Sequence, residues 1–219
     1  MTDTPVSADF NRRGFLRKAA AVGAMVPLGS GAAMGQTASS HSGHGGHDQF
    51  GNRMVGEVNH AANGFDPHQI IRDFDVGTVS VTADGRVLRE WTITAVDHEF
   101  EIAPGIKFPG WSYNGRIPGP TLRCTEGERL RIRFINGSSH PHSMHFHGIH
   151  SARMDGVPGA GMVEPGAEFT YEFDAKPFGC HLYHCHAIPL KRHIHKGLYG
   201  VFIVDPDPAK HPEGRDVAA

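Results

Sequence analysis

Arg129-Leu130-Arg131-Ile132-Arg133-Phe134 alternates strictly between charged and apolar side chains. A strand sends successive side chains to opposite faces, so this hexapeptide reads as a strand with its arginines outward and Leu130, Ile132 and Phe134 inward. The same signal recurs on both sides. Val76–Ala83 and Val87–Val96 flank Asp84-Gly85, a turn pair suited to a tight hairpin. Trp91, Ile93 and Ala95 alternate with polar neighbours, and further strands are expected at Thr121–Thr125, Ser143–Gly148, Glu168–Asp174, Cys180–His186 and Gly200–Asp205. Gly and Pro punctuate these segments, and no stretch carries a helical period. About eight short strands separated by turns point to an all-β fold, one Greek-key β-sandwich or barrel over residues 76–206.

A chain of 219 residues suits one domain with a tail, and it can bury a core without depending on disulfides. The N-terminal 35 residues read as an address. Asn11-Arg12-Arg13-Gly14-Phe15-Leu16-Arg17-Lys18 precedes a small apolar run, Ala19 to Gly35, that is too short to span a bilayer and is broken by Pro27. The arginine pair resembles a twin-arginine export signal, with cleavage expected near Ala33-Met34-Gly35. That would place the mature chain in the periplasm or outside the cell, where disulfides can form.

Residues 36–75 read as a His/Gly/Ser-rich tail and arm. Gln36 to Gly51 is too polar to repay the entropy of ordering. Its histidines His41, His44 and His47 are either a loose capture site for a soft or borderline cation or bystanders in a linker. Val55 to Phe74 is irregular, an arm expected to lie on the main domain or on a neighbour, and residues 207–219 form a C-terminal tail. The net charge of −2 becomes −4 beyond residue 35. No clustered positive surface for nucleic acid follows from that balance, and no later segment reads as a membrane span.

Histidine carries the chemistry. The chain holds 17 His against 3 Cys, and histidine is the commonest metal ligand. Ten of them fall between His140 and His195, in His140-Pro-His142-Ser-Met-His145-Phe-His147-Gly148, in His181-Leu-Tyr-His184-Cys185-His186, and at His150, His193 and His195. On extended backbone His145 and His147 share a face, and so do His184 and His186. His142 and Cys185 point the other way. Two sites follow, one of four imidazoles and one of Cys185, His142 and a later His. A Cys with two His in a trigonal set is the ligand pattern of a blue-copper electron-transfer site. For the four imidazoles, periodicity leaves copper and zinc both open.

These residues resemble the multicopper oxidases over roughly residues 113–206, about the length of one cupredoxin domain. The resemblance rests on Tyr113-Asn114-Gly115-Arg116-Ile117-Pro118-Gly119-Pro120-Thr121, on His142-x-x-His145-x-His147-Gly148, on His184-Cys185-His186 and on Gly197-Leu198-Tyr199-Gly200. It implies a cupredoxin-like fold with copper as cofactor. It makes His142, Cys185 and a His near 193 the type-1 copper ligands, His145 the type-2 ligand, and His147, His184 and His186 ligands of the type-3 pair. In the family, electrons pass along the backbone from the thiolate to its flanking histidines. The loop after Cys185 is longer than the common form and is similar to that of copper nitrite reductases, whose second His lies five residues before an axial Met. That count selects His193, with His195 as fallback, and puts Leu198, which cannot ligate, at the axial position. A missing axial ligand should raise the potential.

In the family the trinuclear cluster lies between two domains and takes eight histidines, whereas this chain supplies four. Two identical chains meeting about a two-fold axis would close the count. A homo-oligomer is therefore expected, either a dimer or a hexamer of such isologous pairs. The function implied is an exported oxidase that takes single electrons from a small reducing substrate and reduces dioxygen to water at the inter-subunit cluster. A copper nitrite reductase is an alternative, opposed by His147 and His186 and by the lack of an Asp two residues before the second His of the first motif. A non-catalytic periplasmic copper-binding or electron-transfer protein is another. The reductant stays open among phenols, Cu(I) and Mn(II). Cys124 and Cys180 form either a disulfide or two buried thiols. His140, His150 and His181 are either outer donors or ordinary histidines, and Asp155 either handles protons or serves a turn.

Overall fold

The computed structural model describes Gly56–Pro212; the expected export signal, the His41/His44/His47 tail and most of the C-terminal tail lie outside the described residues. Two five-stranded sheets pack face to face as a sandwich. The first has the strand order β1 (Phe74–Asp75), β5 (Thr121–Thr125), β10 (Tyr199–Asp205), β9 (Gly179–His184), β7 (His145–Phe146). The second runs β2 (Thr78–Val81), β3 (Val87–Ala103), β6 (Arg129–Asn136), β8 (Glu168–Asp174), with β4 (Ile106–Tyr113) paired to β3. Parallel pairing of β3 with β6 and of β5 with β10 marks Greek-key crossovers rather than a simple meander.

Strand β6 behaves as its alternation requires. Leu130, Ile132 and Phe134 are fully buried in the core. On the outer face Arg129 meets Glu172 at 2.9 Å and Arg131 meets Glu90 at 3.0 Å, while Arg133 meets Glu168 at 2.5 Å. Exposed pairs of this kind add little stability, but opposite charges across adjacent strands disfavour slipped registers. Between the sheets the contacts are aromatic. Phe146 lies within 5.1–5.8 Å of the rings of Phe173, Tyr171, Tyr183 and Phe202.

Several elements differ from the sequence reading. β3 continues past Val96 to Ala103 and turns back as β4, a strand the alternation did not reveal. In the outer half of β3, Val96, His98, Phe100 and Ile102 alternate with Asp97, Glu99 and Glu101, so the period of two runs on to Ile102 and the sequence reading ended this strand too early. β4 also contains Pro109, which an edge strand tolerates because its outer side needs no ladder donor. β7 is only two residues long, and Cys185 and His186 lie just beyond β9. The chain is also not free of helix. Besides α1 (His60–Asn63) and α2 (Pro67–Ile70), α3 spans Leu190–Lys196 and stops at Gly197, whose φ of 121° suits glycine. The helical period of α3 was hidden because its buried member is His193 and its other residues are mostly Lys, Arg and His.

The arm lies on the main domain. The Asn63 side-chain amide donates to the Glu101 carbonyl at 2.9 Å, and its oxygen accepts from the Glu101 N–H at 2.8 Å, as a neighbouring strand would. Phe65 packs edge-on against Phe100. The expected alternatives for Cys124 and Cys180 are both corrected in part. The thiols are free, and Cys180 is exposed rather than buried. Cys124 sits on β5 opposite Val204 and Cys180 on β9 opposite Ile203, with β10 between them. Strands two apart are separated by roughly 9–10 Å, beyond the reach of a disulfide.

Phe146 fills the core between two outward-facing histidines, so truncating it should loosen both. Phe146→Ala is expected to cost about 3–5 kcal/mol, read as a lower urea midpoint at unchanged slope, whereas Val79→Ala on the exposed edge should stay within about 0.5 kcal/mol.

Candidate metal centres

His142 is fixed by a two-way backbone bridge to Val163, with N–H···O distances of 3.0 and 2.8 Å. The Cys185 N–H donates to the Leu198 carbonyl at 3.0 Å, and α3 brings in His193. The donor atoms converge. The Nδ1 atoms of His142 and His193 are 3.0 Å apart, and Cys185 Sγ is 3.8 Å from the first and 3.3 Å from the second. All three residues are buried. His142 holds its other nitrogen against Ser138 Oγ at 2.8 Å. The Trp111 ring packs 5.0 Å from His142 and 4.8 Å from His193, under the Arg192 and Lys196 cations.

Burial sets the protonation of this set. It pushes the His142 pKa down to about 3 and lowers that of His193, since a charged imidazole would lose its water. The same desolvation raises the Cys185 thiol. Both imidazoles therefore stay neutral and keep lone pairs for a cation. A thiol sulfur and two imidazole nitrogens facing one point suit a soft or borderline metal. His195, two residues further along α3, is exposed and outside this cluster. Leu198 is fully buried and offers no donor atom.

The second cluster lies on the outward face of β7, opposite the buried side chain of Phe146. β7 and β9 pair with His145 directly opposite His184, so their outward faces meet. His147 Nε2 lies 2.7 Å from His184 Nε2, and the His145 ring is 4.4–5.2 Å from those of His147, His184 and His186. Carbonyls fix three of the tautomers. His184 Nδ1–H donates to the Cys185 carbonyl at 2.8 Å, and His145 and His186 Nδ1–H donate to the Asp155 carbonyl at 2.9 and 2.8 Å. Each of these rings thereby presents an unprotonated Nε2, the form a metal requires. The Asp155 carboxylate lies 3.2 Å from His145 and 3.3 Å from His186. Burial lowers the His145 and His184 pKa values, which keeps these rings neutral. His147 is exposed and the other three are half-buried, so this face opens at the surface.

Strand parity thus divides the residues as the alternation suggested. What it did not reveal is the packing around them. Ser138 and Trp111 lie outside the two motifs, and Ser143, within the first, accepts the His186 N–H at its Oγ at 2.9 Å. Asp155 reaches the cluster from the 3₁₀ turn Ala152–Met154. The next residue, Gly156, has φ 85°, and a Cβ there would sit 2.9 Å from the Met144 carbonyl. His150 Nε2 lies 3.1 Å from His145 Nδ1, His140 stacks on Trp111, and His181 lies against the His147 carbonyl at 3.1 Å.

A two-sheet sandwich with a buried Cys/His set and an open His face on its two sides defines a cupredoxin-like domain. A family model for multicopper oxidases matches residues 95–209, and the chain belongs to that family, with copper as its metal. A solved multicopper oxidase is 62% identical, with a TM-score of 0.68 over 73% of this chain and 55% of its own. A copper-containing nitrite reductase of Neisseria meningitidis is 31% identical over 51% of this chain and 29% of its own length. Copper resistance protein A of Escherichia coli is 38% identical over 46% of this chain and 16% of its own. The chain thus spans about half of the solved relative and under a third of the two curated ones.

The two histidines of α3 can be told apart in solution. His193→Ala should abolish the intense blue thiolate-to-copper absorption, while His195→Ala should leave its position and intensity unchanged.

Proposed function

We propose that this chain is the electron-transfer and oxygen-reducing half of an exported copper oxidase. The observation that carries the reading is the tripeptide His184-Cys185-His186, which joins a buried Cys/His set to an open four-histidine face. When bound, copper supplies one-electron transfer at the first set and reduction of dioxygen at the second. His142, Cys185 and His193 are the ligands we assign to type-1 copper. His145 is assigned to type-2 copper, and His147, His184 and His186 to the type-3 pair.

The residues around these donors have separable tasks. Trp111 and the surrounding core exclude water from the buried set. Leu198 contributes only carbon, which supports a raised potential. The Cys185 backbone is a short covalent route between the two sets, and the hydrogen bond from His184 to its carbonyl adds a second link. Asp155 orients His145 and His186 through its carbonyl and holds or passes a proton at its carboxylate. Four imidazoles, one exposed and three half-buried, are half of an eight-histidine set, so a second copy meeting this face about a two-fold axis completes it. That supports a homo-oligomer, a dimer or a hexamer of such pairs, with dioxygen and a small reductant as substrates. The twin-arginine motif supports export to the periplasm or beyond, and no helix among the described residues is long and apolar enough to cross a membrane.

Reduction of nitrite is the second reading, favoured by the similarity to the Neisseria enzyme. The structure also removes one objection to it. An acid need not neighbour the histidines in sequence, since Asp155 arrives at them from a separate turn. His147 separates the two readings, because a mononuclear site leaves it without a ligand role. His147→Ala should keep the blue colour and lose oxygen consumption by at least about a hundredfold; a fully active variant contradicts the proposal.

Metal uptake should follow pH in a defined direction. The Cys185 thiol, raised by burial, must release its proton to bind, whereas His142 with a pKa of about 3 has none to release at neutral pH. Affinity at the blue site is therefore expected to rise by about tenfold per pH unit between pH 5 and 8, with one proton released per copper in a pH-stat titration.

A further inference from the structure

A third group of metal-ligating side chains lies in the arm, away from both copper sets. His60 opens α1, Asp66 caps the start of α2, and His68 lies within its first turn. One donor atom from each falls within 4.8 Å of the others. We propose that His60, Asp66 and His68 form a binding site for one borderline divalent cation, of the zinc or copper(II) kind, that clamps α1 to α2.

Three observations support the site. His60 Nδ1 is buried and has no hydrogen-bond partner. A buried ring nitrogen in that state is costly, and a cation beside it removes the cost. Second, His68 Nδ1 lies 3.2 Å from Asp66 Oδ1. Ligands about 2.0–2.1 Å from a tetrahedral ion are about 3.3 Å apart, so this edge already has coordination length. Third, the donors stand on an anchored frame. Asp66 Oδ1 also accepts the His68 N–H at 2.8 Å, and the Asn63–Glu101 pair ties α1 to β3.

An ordinary helix cap explains Asp66 and His68 but leaves His60 without a partner. Two imidazoles and one carboxylate select zinc or copper(II) over magnesium and calcium, which prefer oxygen ligands throughout. Access is available from solvent, because the His68 side chain is largely exposed. Water on that side can complete the coordination.

The test uses the full, copper-loaded protein carrying His41→Ala, His44→Ala and His47→Ala, so that tail histidines contribute nothing. Zinc ion is titrated by calorimetry, with melting temperature and blue absorbance followed in parallel. The site predicts one zinc per chain and a melting temperature raised by zinc. Adding either His60→Ala or His68→Ala should weaken binding by about tenfold or more and remove the rise, with the blue band unchanged. His68 is largely exposed, so its variant guards against a folding defect at His60. No zinc bound by the parent overturns the site. So does binding that survives in either variant with the stabilisation intact.

Discussion

The hydrogen bond from the Cys185 N–H to the Leu198 carbonyl keeps the backbone extended one residue past the end of β9. Extension there forces Cys185 inward while His184 and His186 turn outward. A helical or looped backbone at this point would scatter the three side chains and dissolve both donor sets. The rest of the domain serves that geometry. β7 brings His145 opposite His184, the Val163 bridge places His142 within reach of the thiol, and α3 closes the set with His193.

The two sides of this segment differ chiefly in water. The thiol side is dry, and dryness keeps both imidazoles neutral and the thiol protonated until a cation arrives. The histidine side is half-exposed and open to solvent. There the protonation is fixed by carbonyl acceptors instead, with Asp155 and Cys185 holding three rings in one tautomer. Burial and hydrogen bonding thus produce the same metal-ready imidazole by different routes.

Much of this was legible in the sequence because alternation is a short-range property. Arg129 to Phe134 reads as a strand from six residues alone, and the split of His142 and Cys185 from the other histidines needs only parity. Features that depend on contact between distant segments were not legible. β4 is missed because Pro109 and Gly110 sit in its middle and read as a turn. α3 is missed because its buried residue is a histidine. The role of Asp155 depends on Gly156, whose positive φ folds the turn against Met144 and Ser143. Cys124 and Cys180 illustrate the same limit, since their separation is set by β10, which lies between them in the sheet but far along the chain.

In the proposed arrangement, one extended tripeptide joins two different copper sets, the second completed by another copy of the chain. Copper per chain, counted with oligomeric mass and EPR spectrum on exhaustively dialysed protein, tests it most directly. An even-numbered oligomer with about 2.5 coppers per chain is expected, with two blue centres and one three-copper cluster per pair. An EPR-silent fraction should accompany the blue signal. A monomer holding a single blue copper per chain would contradict it.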